Sequence, residues 1–307
     1  MAAALLLAGA IPGTANATTT QAGAISAACR MLVGSVTPGG DHTSNLLTAT
    51  SPITSQPRPV RQNIYPDGKV RLSGAMATDP DIPGYDSLVS GWVVMGSTMY
   101  QSGYRVGLDG AVKPEEIGLA PVGSGWGDMT AFETVRYYPF TPNGMPGVTN
   151  QYALRADGVL FRWTMGSAAG RPIWSNKQSA PGFAAVKTMA MISQTATYDT
   201  FLATTRGGAL YTIRIPRTSP MKPIVKQVRS STWQGFESLI IEKCGVYGTL
   251  VLGIDKDTRS GYLYAVGHAN GTSTVIKGLG KMPGTFSDPV YFRHVLRPND
   301  APMLFGE

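Results

Sequence analysis

VGSGWGDMTAF, residues 122–132, carries too many glycines for a helix and too much apolar content for a free loop. Fainter echoes follow as SAPGFAAVKTM (179–189), SSTWQGFESLI (230–240) and MPGTFSDPVYF (282–292). Each brings a turn, an aromatic ring and a short apolar run. Aligned on the ring, with PGYDSLVSGWVV (83–94) added, the series is Tyr85, Trp126, Phe183, Phe236 and Phe286, separated by 41, 57, 53 and 50 residues. Self-similarity at such a period marks a stacked or circular repeat, because no single unit has a core of its own.

A second signal recurs after each ring: a turn ending in glycine, then a short hydrophobic strand. It reads LDGAVK at Gly110, ADGVLFRW at Gly158, RGGALYTI at Gly208 and RSGYLYAV at Gly261. Tight hairpin turns need positive φ, which glycine adopts without steric cost. The longest interval contains TPNGMPGVTN, a Pro/Gly-rich insertion. The unit is therefore strand, loop, strand, glycine turn, strand and link. That is the make-up of a four-stranded antiparallel propeller blade.

The ends predict how the ring closes. The fifth ring, Phe286, has no glycine turn after it, and the final APMLFGE reads like the strand that precedes such a turn. The missing half is expected in YPDGKVRLSGAM, around Gly68, as an N-terminal strand pairing with the C-terminal blade and hiding two open edges. The expected fold is all-β: a five-bladed β-propeller over residues 61–307, preceded by an irregular Ser/Thr/Pro-rich leader at 18–60.

Residues 1–17 hold an apolar run from Ala2 to Ile11, a Pro-Gly break and Ala15-Asn16-Ala17, the pattern of a secretory signal. The run is too short to span a membrane. Export suits Cys29 and Cys244, the only two cysteines, as one disulfide, with two buried thiols as the alternative. A net charge of +7 is spread through residues such as Arg58, Arg105, Arg155, Arg206 and Arg293, with no dense run, and argues against nucleic acid as a partner.

Catalytic and metal signals are sparse. His42, His268 and His294 lie far apart in sequence, and no GxSxG elbow, phosphate loop or CxxC pair is present. GHANGTS around His268 reads as a surface turn, and His294 as a satisfied histidine within a sheet strand. Asp79, Asp81 and Asp86 in DPDIPGYD alternate as calcium ligands do, but two prolines interrupt them and an inter-blade loop is the expected role. No cofactor or metal is expected.

The pattern resembles the tachylectin-type five-bladed propeller lectins, whose repeats carry GxGGW…F followed by G-x-L-Y. The matching stretches are VGSGWGDMTAF with DGVLF (157–161), GGALYTI (207–213) and SGYLYAVG (260–267), within roughly residues 65–307. The resemblance implies a non-catalytic protein that binds N-acetylated sugars at a shallow site on each blade. The repeated rings then have two roles to divide between them, wedges between sheets or platforms for sugar faces. Trp126, flanked by Gly125, Gly127 and Asp128, is the leading platform, and Trp233 is expected to be exposed beside Phe236. Trp126, Asp128, Phe183, Trp233, Phe236 and Phe286 form the expected binding set, with cell-surface glycans as partners. The alternatives are an exported hydrolase or lyase with its site at the central channel mouth, or a protein-binding scaffold.

Overall fold

A computed structural model describes residues 29–138, 147–169, 171–296 and 303–307. The proposed secretory signal lies outside them. The described residues form 21 strands and one short 3-10 turn at Pro114–Glu116, with no α-helix among them. Numbered along the chain, the first strands are β1 (Arg30–Val36), β2 (His42–Thr48), β3 (Thr54–Pro57), β4 (Val70–Ser73), β5 (Met76–Asp79), β6 (Ser87–Met95), β7 (Thr98–Val106) and β8 (Ile117–Ser124). Then come β9 (Met129–Tyr137), β10 (Val148–Arg155), β11 (Leu160–Ala168) and β12 (Arg171–Ala180). They are followed by β13 (Val186–Gln194), β14 (Tyr198–Thr205), β15 (Leu210–Pro216) and β16 (Ile224–Arg229). Last are β17 (Ser238–Cys244), β18 (Gly248–Asp255), β19 (Ser260–Val266), β20 (Ile276–Lys281) and β21 (Val290–Leu296).

β9–β12, β13–β16 and β17–β20 are three four-stranded sheets, each joined strand to next strand. The rest belong to one nine-stranded sheet in the order β3-β2-β1-β21-β5-β6-β7-β8, with β4 also paired to β6. Its middle join is parallel, His294–Leu296 against Met76–Thr78, whereas its other pairings are antiparallel. The first strands of successive units face one another: β4 beside β9, β9 beside β13, β13 beside β17, β17 beside β21, and β21 beside β4. This is propeller architecture, in which each sheet buries its two faces on its neighbours. Phe201, Tyr152, Leu202 and Leu210 are fully buried in the largest of the resulting cores.

The strand that completes the β21 sheet is not the one expected. Val33–Val36 of β1 pairs antiparallel with Val290–Arg293, and β2 and β3 extend the sheet outward. Strands thus occupy much of the segment read as an irregular leader. β1 is a continuous apolar run, but the Thr, Ser and Asn of β2 hide its alternation. Residues 70–73, near the expected closing strand, pair with β6 instead. The C-terminal stretch also differs. Leu304 and Gly306 bond to Gln194 and Ile192 of β13, and the Glu307 carboxylate meets Arg214 at 3.1 Å, so this stretch lies against the β13–β16 sheet. Cys29 and Cys244 are disulfide-bonded with Cα atoms 5.4 Å apart, linking the N-terminal end of β1 to the end of β17. In the chain-entropy account such a long loop contributes at most about 5 kcal/mol.

The repeat is real but differently phased. The backbone N–H of an aromatic residue donates to the middle hairpin turn of the preceding unit at five places: Tyr65 to Gly40, Trp126 to Ser97, Phe183 to Gly158, Trp233 to Gly208 and Phe286 to Arg259, all at 2.9–3.0 Å. Tyr65 therefore replaces Tyr85, which is 67% exposed, and Trp233 replaces Phe236. Gly158 and Gly208 hold φ of 86° and 90° at their turns, as a tight hairpin requires. Gly261 does not. Arg259 takes the left-handed position there, with φ 51°, and Gly261 lies in β19 where a Cβ would fall 2.6 Å from the Phe286 ring. Gly110 belongs to the β7–β8 connection.

Candidate functional site

The facing first strands enclose a cavity of about 260 Å³. Strand alternation sends every second side chain toward it, and several of these are charged. β9 contributes Glu133, β21 contributes Arg293, and the mouth at the strands' N-terminal ends carries Arg71, Lys187, Glu237 and Lys256. The mouth is braced by pairing. Lys187 bridges to Glu237, whose other oxygen accepts the Lys256 backbone N–H at 2.8 Å. Arg71 is held at the rim by the Gly96 and Trp126 carbonyls, at 2.9 and 2.7 Å.

Deeper in, Arg293 donates two bonds to Glu242, 2.9 Å from Nε and 2.7 Å from Nη2. Such a bidentate pair fixes the guanidinium plane. Burial works against the Arg293 charge, but Glu242 outweighs it and lifts the group above its ordinary range. Among the described residues Glu133 has no such partner. Burial pushes its carboxyl up to about 7, against the opposing pull of Arg293 and the backbone N–H groups of Met191 and Thr134. A carboxyl that takes and releases protons near neutral pH, beside a fixed cation, is equipped for general acid–base work.

The expected sugar-binding set is dispersed, and most of it is inside. Trp126 is 7% exposed and Trp233 5%, and Phe183 and Phe236 are equally covered. Phe286 is half-buried against Gly261. Trp126 packs edge-on to Phe132 and tilted to Trp163 of one sheet, in a cluster shared with Trp92, Val94 and Met99 of the preceding sheet, which makes it a wedge between the two. Asp128 is exposed on the rim of a separate cavity of about 370 Å³, together with Trp126, Phe161, Trp163 and Trp174.

His268 is exposed in a turn, as its sequence suggests. His42 and His294, remote in sequence, are brought together with ring centroids 5.2 Å apart, away from the channel. Among the described residues no group of three His, Cys, Asp or Glu side chains is placed to hold a metal ion. Asp81 instead lies 3.9 Å from Arg58. No described helix is long and apolar enough to cross a membrane.

No protein-family model matches the chain, and no curated protein is similar to it. Among solved structures it is similar to the periplasmic gluconolactonase of Pseudomonas aeruginosa, at 12% identity over 89% of this chain and 85% of that one, with a TM-score of 0.38. A provisionally named 6-phosphogluconolactonase of Bacteroides uniformis is 11% identical over 83% of each chain, TM-score 0.38. The WD40 domain of SCAP from fission yeast is 9% identical over 77% of this chain and 53% of that one, TM-score 0.33.

These findings correct two expectations, a lectin-like function and the absence of catalysis. Two of the solved structures to which the chain is similar carry lactonase names and none of those given above is named a lectin, and no family model supports the tachylectin resemblance. The physical reason lies in this chain. A ring spent on wedging one sheet against the next has no free face for a sugar, and four of the five expected platforms are spent that way. Sequence reasoning missed Glu133 and Glu242. Each is a lone acid in an apolar strand, a signal present in FETV and IIEKC, but the cavity that Glu133 faces and the Arg293 that Glu242 pairs with come from other sheets.

Proposed function

We propose that this chain is an exported hydrolase of small esters or lactones, with its site inside a closed ring of five four-stranded sheets. In this reading the ring is sealed by β1 on β21, and the inner strands of all five units wall the channel. Export is supported by the Cys29–Cys244 bond, which belongs to an oxidising compartment.

One observation carries the reading: the Glu133 carboxyl faces a cavity of small-molecule size, is lifted to about 7 by burial, and has a fixed guanidinium for a neighbour. In its ionised form Glu133 takes a proton from water as the water oxygen bonds to the acyl carbon. Charge then develops on the carbonyl oxygen, and Arg293, held flat by Glu242, is the cation that offsets it. When the C–O bond to the leaving group breaks, Glu133 returns the proton to the departing alkoxide. Atoms and charge balance without any further reactant. The cavity volume limits the substrate to about the size of a monosaccharide derivative.

The test is hydrolysis of a panel of small aliphatic lactones and acyl esters, followed by proton release, by the parent chain and by Glu133→Gln. The parent should show a rate that rises through pH 7, and the variant should lose both rate and rise. Turnover that survives in the variant, or a parent inert across the panel, ends the proposal.

A further inference from the structure

A second cavity, of about 250 Å³, lies where the closing hairpin β1–β2 and β21 meet the β5–β7 strands. Two histidines form part of its wall. His42 is 2% exposed and His294 7%. Each has one ring nitrogen engaged by a hydroxyl: His42 Nδ1 lies 2.6 Å from Tyr104 Oη, and His294 Nε2 lies 2.7 Å from Thr78 Oγ1. Among the described residues His42 Nε2 and His294 Nδ1 have no hydrogen-bond partner. A buried polar atom left in that condition costs about 1–3 kcal/mol, and here there are two within one small space.

The chemistry of the wall says what would satisfy them. Among the described residues neither hydroxyl has another acceptor, and the tautomer that satisfies both is the one in which each gives its proton to the imidazole nitrogen it touches. Each ring then carries its own proton on the unpartnered nitrogen, as a donor. Burial keeps both rings neutral: His42 is held well below its ordinary value and His294 is brought down to about 4. Arg58 and Arg61 add two guanidinium groups to the same wall, opposed by the single carboxylate of Asp81. Arg58 is 3.9 Å from Asp81, too far for a hydrogen bond. The Arg61 backbone is locked to that of His42 by two bonds, at 2.8 and 2.9 Å. Besides its hydroxyls the site thus offers several donors, the single carboxylate of Asp81, and a net charge near +1.

We infer that the cavity beneath the closing hairpin is a binding site for a small carboxylate, whose two oxygens accept from His42 Nε2, His294 Nδ1 and the Arg58 guanidinium. One negative charge matches the wall. A doubly charged phosphate would set its second charge against Asp81. The ligand would also join β2, β21 and the loop after β3, so binding should tighten the closure of the sheet. The inference is independent of the hydrolase reading, because it uses no residue of the channel.

The full chain, labelled with ¹⁵N at its three histidines, is titrated at pH 7.5 with sodium acetate and separately with sodium chloride at equal ionic strength. Acetate should move the ring nitrogens of His42 and His294 and leave those of exposed His268 unchanged. Arg58→Ala should weaken the response at least fivefold, and Asp81→Asn should strengthen it. Both side chains are over one-third exposed, so neither change threatens the fold. Equal shifts with chloride, movement of His268 alone, or tighter binding of inorganic phosphate or of the neutral sugar xylose would each overturn the assignment.

Discussion

The channel and the cavity beneath the closing hairpin share one strand but have opposite electrostatics. In β21, Arg293 turns to the channel and His294, the next residue, turns to the hairpin cavity. Burial acts on both places and in both favours the uncharged form. On the channel's acid it raises the proton affinity of Glu133, and on the cavity's base it lowers that of His294. One ring thus holds a carboxyl that keeps its proton too long and an imidazole that refuses one. The two titrate across much the same pH range with contrary effects on folding.

The largest expected effect tests the channel half. Glu133→Gln keeps the shape of the side chain but cannot accept a proton. Loss of a general base costs typically 10²–10⁴ in rate, so kcat should fall by about that factor while circular dichroism stays unchanged. A rise in KM without a fall in kcat would make Glu133 a binding group and not the base.

Nearly as large is the effect of breaking the pair that fixes Arg293. Glu242→Ala leaves a guanidinium at the channel wall without its counter-ion, both side chains being less than one-fifth exposed. Removing one partner of a buried pair costs ~3–5 kcal/mol, measurable by urea unfolding. The double variant Glu242→Ala/Arg293→Met should recover much of that loss, since no stranded charge remains. No recovery would mean that Glu242 contributes through packing rather than charge.

The pH dependence of stability sharpens the contrast. Glu133 has a folded value of about 7 against 4.5 for the free group, so between those limits the folded chain holds the extra proton. Stability from this group therefore falls as pH rises through the window, by up to ~3 kcal/mol. His294, at about 4 in the fold against 6.5 when free, does the reverse. Its unfolded form binds the extra proton, so stability rises with pH across its window by a similar amount, and His42 acts in the same sense. Glu133→Gln should accordingly steepen the loss of stability on acidification from pH 6.5 to 4. His294→Asn should flatten it. Urea midpoints at several pH values give both slopes, and parallel curves for parent and variants would refute the opposition.

How much of this was legible in the sequence differs between scaffold and sites. Strand content, the sheet-sized unit and the hairpin glycines at 158 and 208 could be read, because period and turn chemistry are local. Which ring sits beneath which turn could not. Tyr85 and Tyr65 both precede apolar strands, and what separates them is burial and a bond from Tyr65 N–H to the distant Gly40. The hairpin β1–β2 was missed because edge-facing Thr, Ser and Asn mask its alternation. Glu133 and Glu242 were passed over although they are acids in apolar strands, because the groups they meet come from sequence positions up to 160 residues away, as Glu133 and Arg293 show. His42 and His294 meet because the N-terminal hairpin β1–β2 pairs with β21.

The smallest effect supplies the control for both halves. Arg259 holds φ 51° at the β18–β19 turn, where the equivalent turns of two other sheets use Gly158 and Gly208. Left-handed backbone costs a residue with a Cβ ~1–2 kcal/mol, and glycine offsets part of that by its greater freedom when unfolded. Arg259→Gly should therefore stabilise the fold by a net ~0.5 kcal/mol. Arg259 itself lines neither cavity, unlike Lys256 of the same turn, and its carbonyl bond from Phe286 N–H is a backbone interaction that survives the change. The gain should then be the same at every pH from 4 to 8, with hydrolysis and carboxylate binding untouched. A gain that varied with pH would show that the sheets transmit their strain to the ionisable groups, and that the channel and the hairpin cavity are not electrostatically separate after all.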